Sequence, residues 1–198
     1  MKRKILSKLI EWKNKKNRKP LIVNGARQVG KTYILKEFGS HYYEKMAYVN
    51  CDKNKTLDKI FSQDYNISRI LLSLSAILHV NIEPENTLII FDEIQENPTV
   101  LNSLKYFCED ASQYHVAVAG SLLGISLHRD TSFPVGKVDM IKMYPMTFDE
   151  FLMAIDEQPL VDVLASKDFS IIDSLSVRLI DRLRQYYYVG GMPAAVAE

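Results

Sequence analysis

The run Leu88-Ile89-Ile90-Phe91 places four large apolar side chains in succession and ends on two acids, Asp92 and Glu93. A strand with no polar face suits the centre of a parallel sheet, covered on both sides. The segments PLIVN, KMAYVNC, HVAVAGS and KVDMIKMY read as four further strands. Helical patterns separate them. One runs from about Lys31 to Phe38. Another spans 66–80, with Ile67, Ile70, Leu71, Leu74 and Ile77 on one face. A third opens at Asn97-Pro98, where proline suits a first turn, and carries Val100, Leu101, Leu104 and Phe107 inward. From Pro145 on the pattern is helical, with Ile172, Leu175, Leu179, Leu183 and Tyr186 three or four apart. Such alternation predicts an α/β fold with helices on both faces of a mostly parallel sheet. Ligands in such sheets bind beyond the carboxyl ends of the strands.

The sharpest motif sits at one of those ends. Gly25 to Thr32, GARQVGKT, follows the first strand and opens a helix, matching G-x-x-x-x-G-K-[ST]. Gly25 and Gly30 permit backbone angles and close approaches that a Cβ forbids. Ala26, Arg27, Gln28 and Val29 form the turn, whose variable side chains point away from the ligand because the backbone binds it. Successive N–H groups from about Gln28 to Tyr33 then face a β-phosphate, helped by the helix N-terminus. Lys31 reaches the β- and γ-phosphates, and the Thr32 hydroxyl is a Mg²⁺ ligand. Asp92, at the end of the apolar strand, is the expected second holder of the Mg²⁺ shell. Glu93 is the expected base for an attacking water, the residue that separates hydrolysis from binding.

Ser121, just past the fourth strand, is placed to bond the γ-phosphate or the water, provided that strand lies between the first and third. The expected strand order is therefore 5-1-4-3-2. Arg129 is the candidate for neutralising transition-state charge, in its own subunit or across an interface, with a solvated loop arginine paired to Asp130 as the plain reading. Lys137 is a weaker competitor.

Composition adds limits. Residues 1–19 hold nine Lys/Arg and one Glu, or +8, leaving −7 for the rest of a chain whose net charge is +1. That cluster reads either as the solvated face of a helix or as a contact for nucleic acid. Lys8 and Glu11 interrupt any secretory h-region, and no apolar run reaches the length of a membrane span. Cys51 and Cys108 lack metal-ligand spacing and read as reduced, buried residues of a cytoplasmic protein. The chain divides into a basic N-terminal helix (1–19), a core (20–145) and a helical segment (146–198).

In their order, RKPLIVNGARQVGKTY, LIIFDEIQ, AGSLLG, SFPVGKV, YPMTFDEFL and VGGMP resemble a group of prokaryotic ATPases of the AAA+ superfamily, near the archaeal-type and STAND-like NTPases. The resemblance covers nearly the whole chain. It implies a P-loop NTPase core with ATP and Mg²⁺ as ligands, followed by a small helical lid. It also implies that Met192 and Pro193 meet the adenine, although Gly190 to Pro193 read equally well as a helix-ending turn. Members of the group usually continue into a C-terminal domain that binds DNA or a protein partner, so the lid is expected to be truncated at Glu198. Oligomers are compatible with the group. Two functions follow as expectations, an Mg²⁺-dependent ATPase coupled to lid and downstream-domain movement or a STAND-like nucleotide switch with little turnover; a third, a nucleic-acid-binding protein, rests on the basic N-terminus.

Overall fold

Five strands form one sheet: β1 (Leu21–Gly25), β2 (Lys45–Asn50), β3 (Thr87–Asp92), β4 (His115–Ser121) and β5 (Asp139–Met143). This computed structural model describes residues 3–121 and 134–197. All neighbouring strands are parallel, in the order β2-β3-β4-β1-β5, which is the expected 5-1-4-3-2 read from the other edge. Every residue of β1, β3 and β4 is buried, so these three strands have no solvent face. The helices that cover them are α1 (Ile5–Lys13), α2 (Lys31–Tyr42), α3 (Lys55–Gln63), α4 (Ile67–Leu78) and α5 (Pro98–Asp110).

Caps fix where these helices begin. Asn54, Asn66 and Asn97 each accept the backbone N–H three residues on, and Pro98 occupies the first turn of α5. The sequence pattern ends α2 at Phe38, but the helix runs to Tyr42. Gly39 lies inside it, where a Cβ would lie 2.7 Å from Met46 Sδ and 3.5 Å from Leu88 Cδ2. Helix α3 goes unread in the sequence, since Leu57, Ile60 and Phe61 are its only buried residues among charged neighbours. Ile77 is 48% exposed and so departs from the buried face of α4. Cys51 is buried, whereas Cys108 is half-buried; both are free thiols.

The chain divides into two compact units. The larger comprises Leu6–Arg27 and Lys31–Met143; the smaller comprises Tyr144–Glu198 with the short segments Met1–Ile5 and Gln28–Gly30. One core cluster of the larger unit lies on the sheet face of Phe91, with Phe61, Leu101, Leu104 and Phe107, and Leu35, Phe38, Leu88 and Ile90 are buried as well. Trp12 of α1 and Tyr43 pack edge-on against His115, at ring centroid distances of 6.1 and 5.2 Å.

His115 is almost wholly buried, and this burial, aided by Arg18 and Lys13, lowers its pKa from 6.5 to about 3. Between those values the unfolded chain takes up a proton that the folded chain refuses, so stability falls as pH drops from about 6.5 toward 3. Urea midpoints measured at pH 7 and pH 5 should therefore differ less in His115→Gln than in the parent. An equal pH dependence in both would remove His115 as the cause.

The smaller unit is helical: α6 (Phe148–Ala154), α7 (Gln158–Ser166), α8 (Phe169–Ser174), α9 (Ser176–Val189) and α10 (Pro193–Ala197). The periodic apolar residues from Ile172 to Tyr186 lie on two helices, not one, because the chain breaks at Leu175 between α8 and α9. Leu152, Leu160 and Leu179 form the centre of this unit. Thr147 and Glu150 form a reciprocal capping box that starts α6. Gly190 ends α9 at φ +80°, and the Gly191 carbonyl accepts Met146 N–H at 2.7 Å. A Cβ on Gly191 would stand 2.5 Å from Met146 O, so only glycine allows this approach.

Among the described residues, six of the N-terminal cations bond within the chain. Lys4 pairs with Asp149 and Lys15 with Asp139. Lys13, Arg18 and Lys19 donate to the carbonyls of Tyr42, Lys13 and Gly136, and Arg3 pairs with Glu150. This internal use weakens the nucleic-acid reading of the +8 cluster. No helix among the described residues is long and apolar enough to cross a membrane.

Candidate active site

Strand β1 delivers Gly25 to the carboxyl edge of the sheet, where the chain turns and enters α2 at Lys31. The intervening loop carries its residues in the order the motif requires. Ala26, Arg27 and Gln28 are exposed, Val29 is buried, and Gly30 lies at φ +93°. Gln28 also has a left-handed backbone, φ +65°, although it carries a Cβ. Such a conformation costs on the order of 1–3 kcal/mol and persists only where its surroundings impose it.

Lys31 Nζ donates to Gly25 O at 3.1 Å and Ala26 O at 2.7 Å, so the ammonium lies along the loop's own carbonyls. Burial lowers its pKa, opposed by the nearby carboxylates of Glu93 and Asp92, while Arg27 adds to the lowering. Tyr33 follows in the first turn of α2, half exposed.

Asp92 reaches the same edge from β3 and is 5% exposed. Its Oδ2 accepts the Thr32 hydroxyl at 2.7 Å and the Tyr48 hydroxyl at 2.9 Å. Its Oδ1 accepts Glu93 N–H at 3.0 Å. Tyr48 comes from β2, one strand over, and its phenol pKa is raised by burial and then by the bond to Asp92. The Lys36 ammonium sits 3.6 Å over the centre of the Tyr48 ring. Two hard oxygen donors, on Thr32 and Asp92, therefore converge from positions sixty residues apart. That donor chemistry fits a small divalent cation such as Mg²⁺. No group of three or more His, Cys, Asp or Glu side chains is placed to hold a metal ion among the described residues, so the protein alone offers few ligands. A Mg²⁺ site of this kind completes its shell with water and substrate phosphates.

Glu93 is exposed and, like Gln28, has a left-handed backbone, φ +51°. It leads into a 3₁₀ turn, Ile94–Glu96, which reverses the chain at the strand end. The turn brings Gln95 back beneath Glu93. Gln95 Nε2 donates to Glu93 Oε2, and Gln95 Oε1 accepts Ser121 N–H at 3.2 Å. Ser121 ends β4, which lies between β3 and β1 and sets Ser121 beside Gly25 in register. The larger unit thus gathers Lys31, Thr32, Asp92, Glu93 and Ser121 at one sheet edge. The arrangement can hold a phosphate chain with a cation and present a carboxylate beside it.

A family model described as an AAA domain matches residues 17–152, more than half of the chain. The chain belongs to that family. As an AAA domain it is a nucleotide-binding module of ATPase type, with the parallel P-loop sheet described above. Among solved structures, PCH-2 of C. elegans is similar at 12% identity and a TM-score of 0.45, over 79% of this chain and 45% of that one. This chain therefore spans less than half the length of that relative. No curated protein matches it.

The remaining candidates of this AAA domain lie elsewhere. Met192 and Pro193 belong to the smaller unit, where Pro193 opens α10. Arg129 and Asp130 fall outside the described residues. Lys137 pairs with Glu109 at 2.8 Å, which raises its pKa, so its ammonium is already committed. Two contributors escape a sequence reading. Gln95 is visible in LIIFDEIQ, but its position depends on the 3₁₀ turn. Tyr48 depends on the pairing of β2 with β3, in which Asn50 lies beside Asp92.

Proposed function

We propose that the chain is an Mg²⁺-dependent ATP-hydrolysing module, whose nucleotide state moves the helical segment 146–198 and whatever domain follows it. The observation that carries this reading is the 2.7 Å bond joining Thr32 to Asp92, with Glu93 next in sequence. In this reading the backbone N–H groups from Gln28 to Tyr33 and the Lys31 ammonium hold the phosphates. Thr32 and Asp92 hold the cation, which when bound neutralises charge on the β- and γ-phosphate oxygens.

Glu93 orients a water and accepts its proton as the water oxygen bonds to the γ-phosphorus. The bond from the γ-phosphorus to the bridging oxygen breaks, and ADP leaves with the electron pair. Ser121 bonds the γ-phosphate or the water. Arg129 supplies charge to the transition state, in its own subunit or from a neighbour. Met192 and Pro193 contact the adenine; the absence of an N/T-K-x-D guanine-reading motif from the sequence agrees with an adenine nucleotide. Segments 1–19, 20–145 and 146–198 act as support, ATPase core and lid.

A second reading, a nucleotide switch with slow turnover, has one observation in its favour. Gln95 already bonds the Glu93 carboxylate, which must be released or reoriented before it serves a water. Both readings place the cation on Asp92, and calorimetric titration tests that placement. ATP should bind the parent more tightly with Mg²⁺ than with EDTA, and Asp92→Asn should lose most of that difference. An undiminished Mg²⁺ effect in Asp92→Asn would remove Asp92 from the cation site.

A further inference from the structure

The phosphate loop is held from behind by a side chain near the start of the chain. Arg3 is 5% exposed at its side chain and makes three hydrogen bonds, each to a different residue of the smaller unit. Its Nε donates to Glu150 Oε1 at 3.2 Å, its Nη2 to Tyr144 O at 2.8 Å, and its Nη1 to Val29 O at 2.9 Å. Val29 is the residue before Gly30-Lys31-Thr32.

Glu150 is fixed in turn. Its Oε1 also accepts Lys4 N–H at 2.7 Å, and its Oε2 closes the capping box on Thr147 N–H at 3.1 Å. The guanidinium therefore cannot shift without breaking a buried carboxylate's bonds. Buried ion pairs seldom add net stability over an apolar pair of similar size, so their use points to fixing a geometry. The geometry fixed here is that of a peptide plane. A trans peptide holds its C=O and N–H on opposite sides of one plane, and the chain has no cis bond among the described residues. With Val29 O drawn toward Arg3, the Gly30 N–H must point the opposite way, as one of the amides assigned to the phosphates.

We propose that Arg3 is a positioning residue for nucleotide binding, setting the Gly30 amide through the Val29 carbonyl, with Glu150 of YPMTFDEFL as its anchor. The proposal rests on the nucleotide reading of the loop. It gives the N-terminal segment and α6 a part in nucleotide affinity, and by linkage bound nucleotide strengthens the docking of both by the same factor.

The test is the double variant Arg3→Met with Glu150→Gln. It leaves no buried charge unpaired, and glutamine still completes a capping box, so the chain is expected to fold. Two quantities are measured well below the thermal midpoint: ATP affinity by calorimetry, and amide hydrogen exchange over residues 25–33 without nucleotide. Affinity should fall about tenfold, within the usual range of coupling between sites. Exchange should quicken in that segment and not across β3 or β4. Arg3→Lys, which keeps the charge but lacks the planar fork, should fall between parent and double variant. Unchanged affinity and exchange in a double variant, beside a parent that binds ATP, overturn this proposal alone. Failure of the parent to bind ATP overturns the nucleotide reading and this proposal with it.

Discussion

Glu93→Gln is expected to bind ATP as tightly as the parent and to hydrolyse it about 10²–10⁴-fold more slowly, the range over which a positioned general base contributes. The substitution keeps size and hydrogen-bonding shape but cannot take a proton from water. The binding groups are elsewhere: Lys31 lies on the loop carbonyls and Thr32 on Asp92, and none of those bonds uses the Glu93 side chain. Its side-chain bond with Gln95 is weakly affected, since a glutamine oxygen still accepts from Gln95 Nε2. The left-handed backbone at φ +51° is equally demanding for either residue, so stability should change little. Phosphate release and calorimetry on the same preparation read both halves of the expectation. Equal turnover in variant and parent would take Glu93 out of the mechanism.

Lys31→Met is expected to act on binding instead. Methionine reproduces the apolar stem but removes the ammonium, which donates to Gly25 O and Ala26 O and carries the charge the phosphates meet. Hydrogen bonds to a charged group are worth about 1.5–3 kcal/mol, so ATP affinity should fall by about 10- to 150-fold. Burial already lowers the lysine pKa, while Glu93 and Asp92 oppose that lowering and help keep it charged. Losing the cation therefore also leaves two acids nearer to the incoming phosphates without compensation. Calorimetric titration with ATP checks this, with far-UV circular dichroism as the folding control. Affinity equal to the parent's would show that the loop binds without Lys31.

The fold was legible because its strands announce themselves locally. LIIF has no polar face and must be central, and the glycine loop joins a strand to a helix, so the central order β3-β4-β1 follows once Ser121 is required beside Gly25, with β2 and β5 at the edges. The candidate residues were legible where they sit in short motifs, Lys31 and Thr32 in GARQVGKT and Asp92 and Glu93 in LIIFDEIQ.

What stayed hidden depends on long-range placement. Arg3 reads as one more cation in a basic cluster; its burial depends on Glu150, 147 positions away. The T-x-x-E spacing of Thr147 and Glu150 does signal a helix start, but nothing local shows that the second carboxylate oxygen faces an arginine. Tyr48 joins Asp92 only through the pairing of β2 with β3, and a one-residue slip would point it to the other face. The break at Leu175 defeats periodicity because residues on either side keep the three-and-four spacing. Chemistry confined to a motif is visible in sequence; support for it from other elements requires the fold.

Whether the site hydrolyses ATP or merely holds it is decided by single-turnover phosphate release, with the unaltered chain in excess over Mg²⁺·ATP. Bound ATP should be converted to ADP and phosphate, and EDTA should stop the conversion. Bound ATP that stays intact over hours in the presence of Mg²⁺ would contradict hydrolysis and leave the nucleotide switch in its place.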